Sequence, residues 1–193
     1  MAQTAANVFN ALPPVTGPIF WGPLATTGPT NESTALNAAL KSLGYIGEDG
    51  VTLTEGRDTT KIKAFGGDTV LVVQTDHTVT LQFSVLEFLN EEVAKAVSGD
   101  SNVVVTPATS TVGKRIASVK NAKKLPHKTW CVDVIDDNKR LRLWVPDGQV
   151  TTLGDSQLVH TNVISRQLTI ECFADSLGNK LYEYANDGVF SGA

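Results

Sequence analysis

Three histidines, two cysteines and a scatter of carboxylates are the side chains here that could ligate a metal or move a proton. His77, His127 and His160 lie in separate segments, and no two have the HxH or HExxH spacing that puts two imidazoles on one ion. Cys131 and Cys172 do not form a CxxC pair, and each sits in an apolar, strand-like run. Buried thiols are therefore expected, a disulfide requiring that the fold bring the two together. Asp133, Asp136 and Asp137 could hold a cation but read as a solvated hairpin tip. The chain has no GxSxG, Walker loop or GxGxxG, and Gly66-Gly67-Asp68 reads as a turn, where glycine supplies positive φ. Asp49-Gly50 and Asp187-Gly188 lack the alternating acids of a calcium loop. A pair of acids assembled by the fold is the one catalytic arrangement left open. The residues point away from an enzyme and from a metal or cofactor.

Charge is distributed less evenly. The 193 residues carry a net charge of −4, against the basic balance of a dedicated non-specific nucleic-acid binder. Yet from Thr111 to Thr129 six bases (Lys114, Arg115, Lys120, Lys123, Lys124 and Lys128) occur with no acid. Such a strip can track phosphates, guard a solvated edge strand or dock on an acidic patch of another copy; the lack of interleaved aromatics weakens base stacking.

The elements that must position these residues are mostly strands. A chain of this length makes one domain, or one domain with arms, and buries roughly 70% of its unfolded surface. The first 30 residues hold five of the eight prolines and read as an extended arm, with at most an edge strand at "IFWG". Its Phe9, Phe20 and Trp21 need a surface, their own body's or a neighbour's. "NESTALNAALKSLG" reads as a helix capped by Ser33, with Leu36, Ala39, Leu40 and Leu43 on one face and Gly44 at its end. "NEEVAKAVSG" reads as a second, with Asn90 capping, Glu91 and Glu92 in the first turn and Gly99 at the stop.

Elsewhere period-two alternation dominates. Val79, Leu81, Phe83 and Val85 alternate with Thr78, Thr80, Gln82 and Ser84; Leu168, Ile170 and Cys172 alternate with Gln167, Thr169 and Glu171. "TVLVVQT" reads as the hairpin partner of the first run, turning near Asp76-His77. "KTWCVDVID" and "KRLRLWVP" pair across Asp136-Asp137-Asn138, and Asp147-Gly148 reads as a further turn. The expectation is mainly β: a β-sandwich of eight or nine strands with two short helices, arranged as an arm (1–30) and one domain (31–193). Between helix and strands lies a 25-residue connection, residues 44–68, with six glycines, five acids and three bases. Connections this long are functional or disordered. The start has no basic, apolar leader and there are never 18 consecutive apolar residues, so a protein made in a cytoplasm with no membrane span is expected.

From Leu40 to Gly99 the order of features is specific: a helix, Gly44-Tyr45-Ile46, Glu48-Asp49-Gly50-Val51, Lys61-Ile62-Lys63-Ala64 with Gly66-Gly67-Asp68, two strands, then "LEFLNEEVAKAV". This stretch resembles the major tail protein, or tail tube protein, of long non-contractile-tailed bacteriophages (siphophages), those of actinobacterial hosts especially. The resemblance implies a β-sandwich with a flanking helix that assembles into sixfold rings. These stack into a hollow tube around a tape-measure protein, with tail-tip and terminator proteins at the ends, and genomic DNA later passes through. It implies a virion tail component, assembled in the host bacterial cytoplasm, with no cofactor. Some members carry a further C-terminal immunoglobulin-like domain, which is not expected here.

On that reading residues 44–68 leave their own domain to contact another copy, through Glu48, Asp49, Arg57, Asp58, Lys61 and Lys63. The uncharged faces, Thr78, Thr80, Gln82 and Ser84 with Gln167, Thr169 and Glu171, are candidates for the wall of the bore, since lysines there would hold phosphates. Lys114, Arg115, Lys120, Lys123 and Lys124 become candidates for ring stacking, against acids near Glu48–Asp49 or between Glu87 and Asp100. Alternatives are the tube protein of a bacterial contractile injection machine, a monomeric host- or carbohydrate-binding module presenting exposed aromatics, and an enzyme without a visible motif.

Overall fold

The computed structural model describes Thr4 and residues 7–190; the rest of the expected arm (1–3, 5 and 6) and of the expected domain (191–193) lies outside the described residues. The strands are β1 (Ile19–Pro23), β2 (Lys41–Ser42), β3 (Ile46–Lys63), β4 (Thr69–Val85), β5 (Val103–Thr106), β6 (Arg115–Ser118), β7 (Lys128–Asp136), β8 (Lys139–Leu153), β9 (Arg166–Phe173) and β10 (Tyr182–Asn186). One α-helix, α1 (Glu91–Ser98), lies between β4 and β5. The mainly β architecture with a flanking helix is the one expected.

Eight strands form a single antiparallel sheet in the order β2-β1-β7-β8-β9-β4-β3, with β10 pairing β8; β5 and β6 pair separately. β8 is long enough to serve two neighbours along one edge, β10 beside Arg140–Trp144 and β9 beside Asp147–Leu153. The sheet curls onto itself. β7 and β4 are three strand spacings apart, about 14 Å if flat, yet the rings of Trp130 on β7 and Phe83 on β4 lie 6.3 Å apart. Two layers of a sandwich thus come from one sheet. Ile19, Trp21, Val132, Leu143 and Val145 line one limb, and Leu81, Phe83, Val85, Leu168, Ile170 and Cys172 the other.

Helix α1 closes the core with Val93, Ala96 and Val97. Its signals act as expected: Asn90 Oδ1 accepts from Glu92 N at 2.9 Å, and Gly99 stops the helix at φ +86°. Trp21 Nε1 donates to Glu92 Oε2 at 3.0 Å, tying the helix to β1. The Asp137-Asn138 turn joins β7 to β8 as anticipated, with Asp137 at φ +53°.

Five local expectations give way. Residues 33–43 are not a helix: Asn31 Oδ1 accepts from the amides of Ser33 and Thr34 (3.0 and 2.6 Å), and Asn37 Oδ1 from that of Ala39 (2.9 Å). Side chains compete with the helical ladder, and β2 pairs with β1 instead. Leu40 and Leu43 are buried all the same, on opposite faces of the sheet. The connection 44–68 is not a loop: most of it is strand β3, paired with β4, and no turn interrupts β4 at Asp76-His77. Asp147-Gly148 is no turn either. A Cβ on Gly148 would lie 2.7 Å from Trp130 Cδ1 and 2.9 Å from Ile170 Cγ2, so glycine is needed for close approach. "IFWG" is no bare edge either; β1 lies between β2 and β7, with Ile19 and Trp21 in the core.

Outside the curl, Leu40, Cys131 and Trp144 form a second cluster with Phe20, Leu36, Tyr182 and Tyr184. The segment over it is pinned by buried Arg142, which donates to Asp133 Oδ2 (2.7 Å), Thr34 O (2.6 Å) and Asn31 O (3.3 Å).

Gly148→Ala is expected to destabilise the protein by about 1–3 kcal/mol through overpacking against Trp130, measured by urea unfolding followed by tryptophan fluorescence. An unchanged midpoint would show that the contact relaxes freely.

Candidate functional site

The two polar alternations meet. Thr80 stands opposite Glu171, Gln82 opposite Thr169 and Ser84 opposite Gln167 on the paired strands β4 and β9. On the other side of β4, Thr52, Thr54 and Gly56 stand opposite Gln82, Thr80 and Thr78; across β9, Thr152 of β8 faces Thr169. Directly opposed residues project to the same side of a sheet, so all seven expected residues share one face, and the core residues between them point the other way. Along β4 and β3 the face continues to Asp76 opposite Asp58. Its positions on β3, β4 and β9 (52–58, 76–84 and 167–171) carry three acids, Asp58, Asp76 and Glu171, and no lysine or arginine.

This four-strand unit, β3-β4-β9-β8, has two open sides. Among the described residues the outer edge of β3 pairs with no strand, and neither does the β8 edge opposite β9 beyond Gly148, because β7 pairs β8 only as far as that residue. The open β8 stretch includes Thr151–Leu153, which are exposed.

From Gly56/Thr78 outward β3 and β4 pair only with each other, and their hairpin leaves the body. Lys180 Nζ donates to His77 O at its base. On its shaft Glu55 Oε1 accepts from Arg57 Nη2 (2.5 Å) and meets His77 Nε2 (2.9 Å). These hydrogen bonds, from Arg57 first and His77 second, hold the Glu55 carboxyl below its ordinary value. Farther out, Ile62 and the four consecutive residues Val70–Val73 are exposed, with Phe65 wholly so near the tip. Of the six residues expected in the connection, Arg57, Asp58, Lys61 and Lys63 lie on this hairpin. Glu48 and Asp49 sit apart, in a bulge between the pairs Ile46/Val85 and Val51/Phe83, with Gly50 at φ +66°.

The basic strip is partly spent within the chain. Lys114 pairs with Glu91 at 3.3 Å, and Lys128 pairs with Asp100 while lying over the Trp21 ring. Part of the acidic region offered for contact with another copy is thus engaged at home. Arg115, Lys120, Lys123 and Lys124 make no ion pair among the described residues.

The titratable groups stay dispersed. His77 meets Glu55 and His127 meets Asp147 at 2.6 Å, and among the described residues no three His, Cys, Asp or Glu side chains cluster to hold a metal. Cys131 and Cys172 are buried free thiols, each pushed up to about 12 by burial. Trp130 and Trp144 are buried in different clusters, so neither offers the exposed aromatic platform of a binding module. Sequence reasoning missed the exposed hairpin, for which the apolar run "VLVV" was a signal, and the buried Arg142–Asp133 pair, which had none.

A family model described as phage tail tube protein matches residues 4–191. No curated protein matches the chain. Among solved structures, a chain of an extracellular contractile injection system's sheath–tube complex in the extended state is similar at 8% identity and TM-score 0.45, over 96% of this chain and 100% of that one. A chain of the anti-feeding prophage tube-terminating cap aligns at 9% identity and TM-score 0.45, again over 96% and 100%. A chain of the native gene transfer agent virion aligns at 10% identity and TM-score 0.39, over 70% and 85%.

Because Glu55 is held low, its contribution to the hairpin is full above the ordinary glutamate value of 4.5 and is lost as pH falls through the lowered one. Amide protection factors on the shaft should therefore be flat above pH 4.5 and decline below it. Glu55→Gln should flatten that profile; an unchanged decline would assign it to other acids.

Proposed function

The chain belongs to the phage tail tube protein family, and we propose that its copies close laterally into rings, six per ring as the resemblance implies. The rings stack into the hollow tube of a long non-contractile tail, through which DNA passes. The observation that carries this reading is the polar, base-free face on a four-strand unit with two open edges.

The strand count supports closure. β3, β4, β9 and β8 alternate in direction, so in a ring the β3 of one copy meets the β8 of the next running antiparallel. Four strands per copy give an unbroken antiparallel wall, and closure removes edges that would otherwise pair at random. The face then lines the bore: hydroxyls and amides keep it wet, and Asp58, Asp76 and Glu171 repel phosphate. Fixed lysines would grip DNA by counterion release. The basic strip stays outside the bore, none of its bases occupying a position on that face.

The β3–β4 hairpin reaches another copy in this reading. Val70–Val73 and Phe65 are exposed in the single chain and gain from burial between rings at roughly 25 cal/mol per Å². The tape-measure protein inside the bore and the tail-tip and terminator proteins at its ends are the further partners, with the virion tail as the location and the host cytoplasm as the place of assembly. The role is structural, with no catalysis.

Negative-stain electron microscopy at rising protein concentration, with the mass of the soluble species measured in parallel, tests the assembly. Hollow tubes of uniform width are expected; a strict monomer, even with a tail-tip initiator present, overturns the reading. The face is tested by Thr80→Lys with Gln82→Lys: tubes should still form but retain duplex DNA in a salt-sensitive way. Tubes that release DNA like the unaltered protein would place the face elsewhere.

A further inference from the structure

Arg166 opens β9 opposite Val85, and Val85 stands opposite Ile46 of β3, so the three mark one end of the four-strand unit. The Arg166 guanidinium lies over the Phe88 ring, 4.1 Å from its centroid. Its Nη1 is buried and has no hydrogen-bond partner. Lys120 stands close enough to feel its charge, which, after burial, helps to lower the lysine's affinity for its proton. Burial likewise lowers that of Arg166. Among the described residues no carboxylate pairs with either base, and Leu89 beside Phe88 is exposed.

A half-buried guanidinium with an idle buried donor, with the exposed Lys120 near enough to add its charge, is costly unless an anion arrives. A planar guanidinium with a free fork accepts a carboxylate well. The chain has a matching group. Glu48 and Asp49 are exposed in the bulge between Gly47 and Gly50, and neither carboxylate has a partner among the described residues. They belong to the outermost strand, at the same end of the unit as Arg166. In the ring proposed above, on which this inference rests, the neighbour's β3 lies beside β8 and two strand spacings from β9, about 10 Å. That gap is within the combined reach of an arginine and a glutamate, and the bulge frees the acids from the strand.

We infer that Arg166 and Lys120 form a receptor for the Glu48–Asp49 bulge of the adjacent copy in the same ring. The contact is a lateral lock: the bulge carboxylates take the idle guanidinium donor and neutralise the paired cations, with the Phe88 ring as floor. The chain's own Glu48 and Asp49 stand across β4, also two strand spacings from β9, and form no ion pair with Arg166 in the single chain; in the ring the neighbour's pair arrives from the opposite, β8 side.

Charge exchange tests it on the full chain. Arg166→Glu alone, and Glu48→Arg with Asp49→Arg, should each raise the concentration needed for tube formation about tenfold or more; the three together should restore it to within about threefold. Assembly is read by sedimentation and electron microscopy, and the unfolding midpoint of each soluble variant by urea. Assembly of Arg166→Glu like the unaltered protein, or no rescue in the combination, overturns the lock. If Arg166→Glu lowers the midpoint, the more exposed Lys120→Glu decides: a weaker assembly at an unchanged midpoint supports the lock, and unchanged assembly overturns it. Duplex oligonucleotide binding by the soluble protein that disappears in Arg166→Glu would replace the carboxylate with a phosphate. Failure of the unaltered protein to form rings sinks the tube reading and the lock together, whereas tubes indifferent to these charges sink the lock alone.

Discussion

The packing of Trp130 against the bare backbone of Gly148 is the constraint from which the rest of the architecture follows. With Trp21 5.7 Å to one side and Phe83 6.3 Å to the other, Trp130 joins the two limbs of the curled sheet. Its Nε1 donates to Gly148 O at 3.1 Å, so the indole is anchored to the strand where the sheet changes neighbours. Aromatic pairs of this kind add about 0.5–1.5 kcal/mol each beyond their area. Because the hub pulls β7 toward β4, one face of β4 and β9 is sealed in the core and the other is left to solvent. The continuous polar face is a consequence of that curl.

The same curl leaves the chain incomplete on its own. β8 pairs with β7 on one side only up to Gly148, and β3 has no outer neighbour among the described residues. Natural proteins shorten, charge or cover such edges; here one edge is exposed and the other carries a hairpin with four consecutive apolar residues in solvent. A monomeric protein seldom tolerates contiguous apolar surface of this kind. In the ring proposed above these features are expected, since the partner that would cover them is another copy of the same chain.

Charge follows the same division. The face proposed above for the bore is hydroxylated, amidated and acidic. Lys114 and Lys128 are neutralised by Glu91 and Asp100 of their own chain, and Arg142 by Asp133 in the interior. Arg166 stands out because its surroundings supply an aromatic floor and no acid.

Elements with a local cause were legible in the amino-acid sequence. Asn90, Glu91, Glu92 and Gly99 specify α1 by capping and dipole alone, and the strict alternation of Thr78–Val85 and Gln167–Cys172 assigned each residue to core or solvent. The Asp137-Asn138 turn and the tube-protein family were readable too. What only the tertiary structure decided was which strands are neighbours. Gly47, Gly50 and Gly56, with charges between them, look locally like a loop, and they become strand because β4 supplies a ladder of hydrogen bonds at long range. Leu36 to Leu43 fit a helical period, yet pairing with β1 and the side chains of Asn31 and Asn37 outweigh a weak local propensity. Asp147-Gly148 has the composition of a turn, but the space its missing Cβ leaves is taken by a tryptophan 18 residues away. Local preferences amount to tenths of a kcal/mol per residue. Strand pairing and burial, summed over a sheet, are far larger, so they determined where the polar faces met and which edges stayed open.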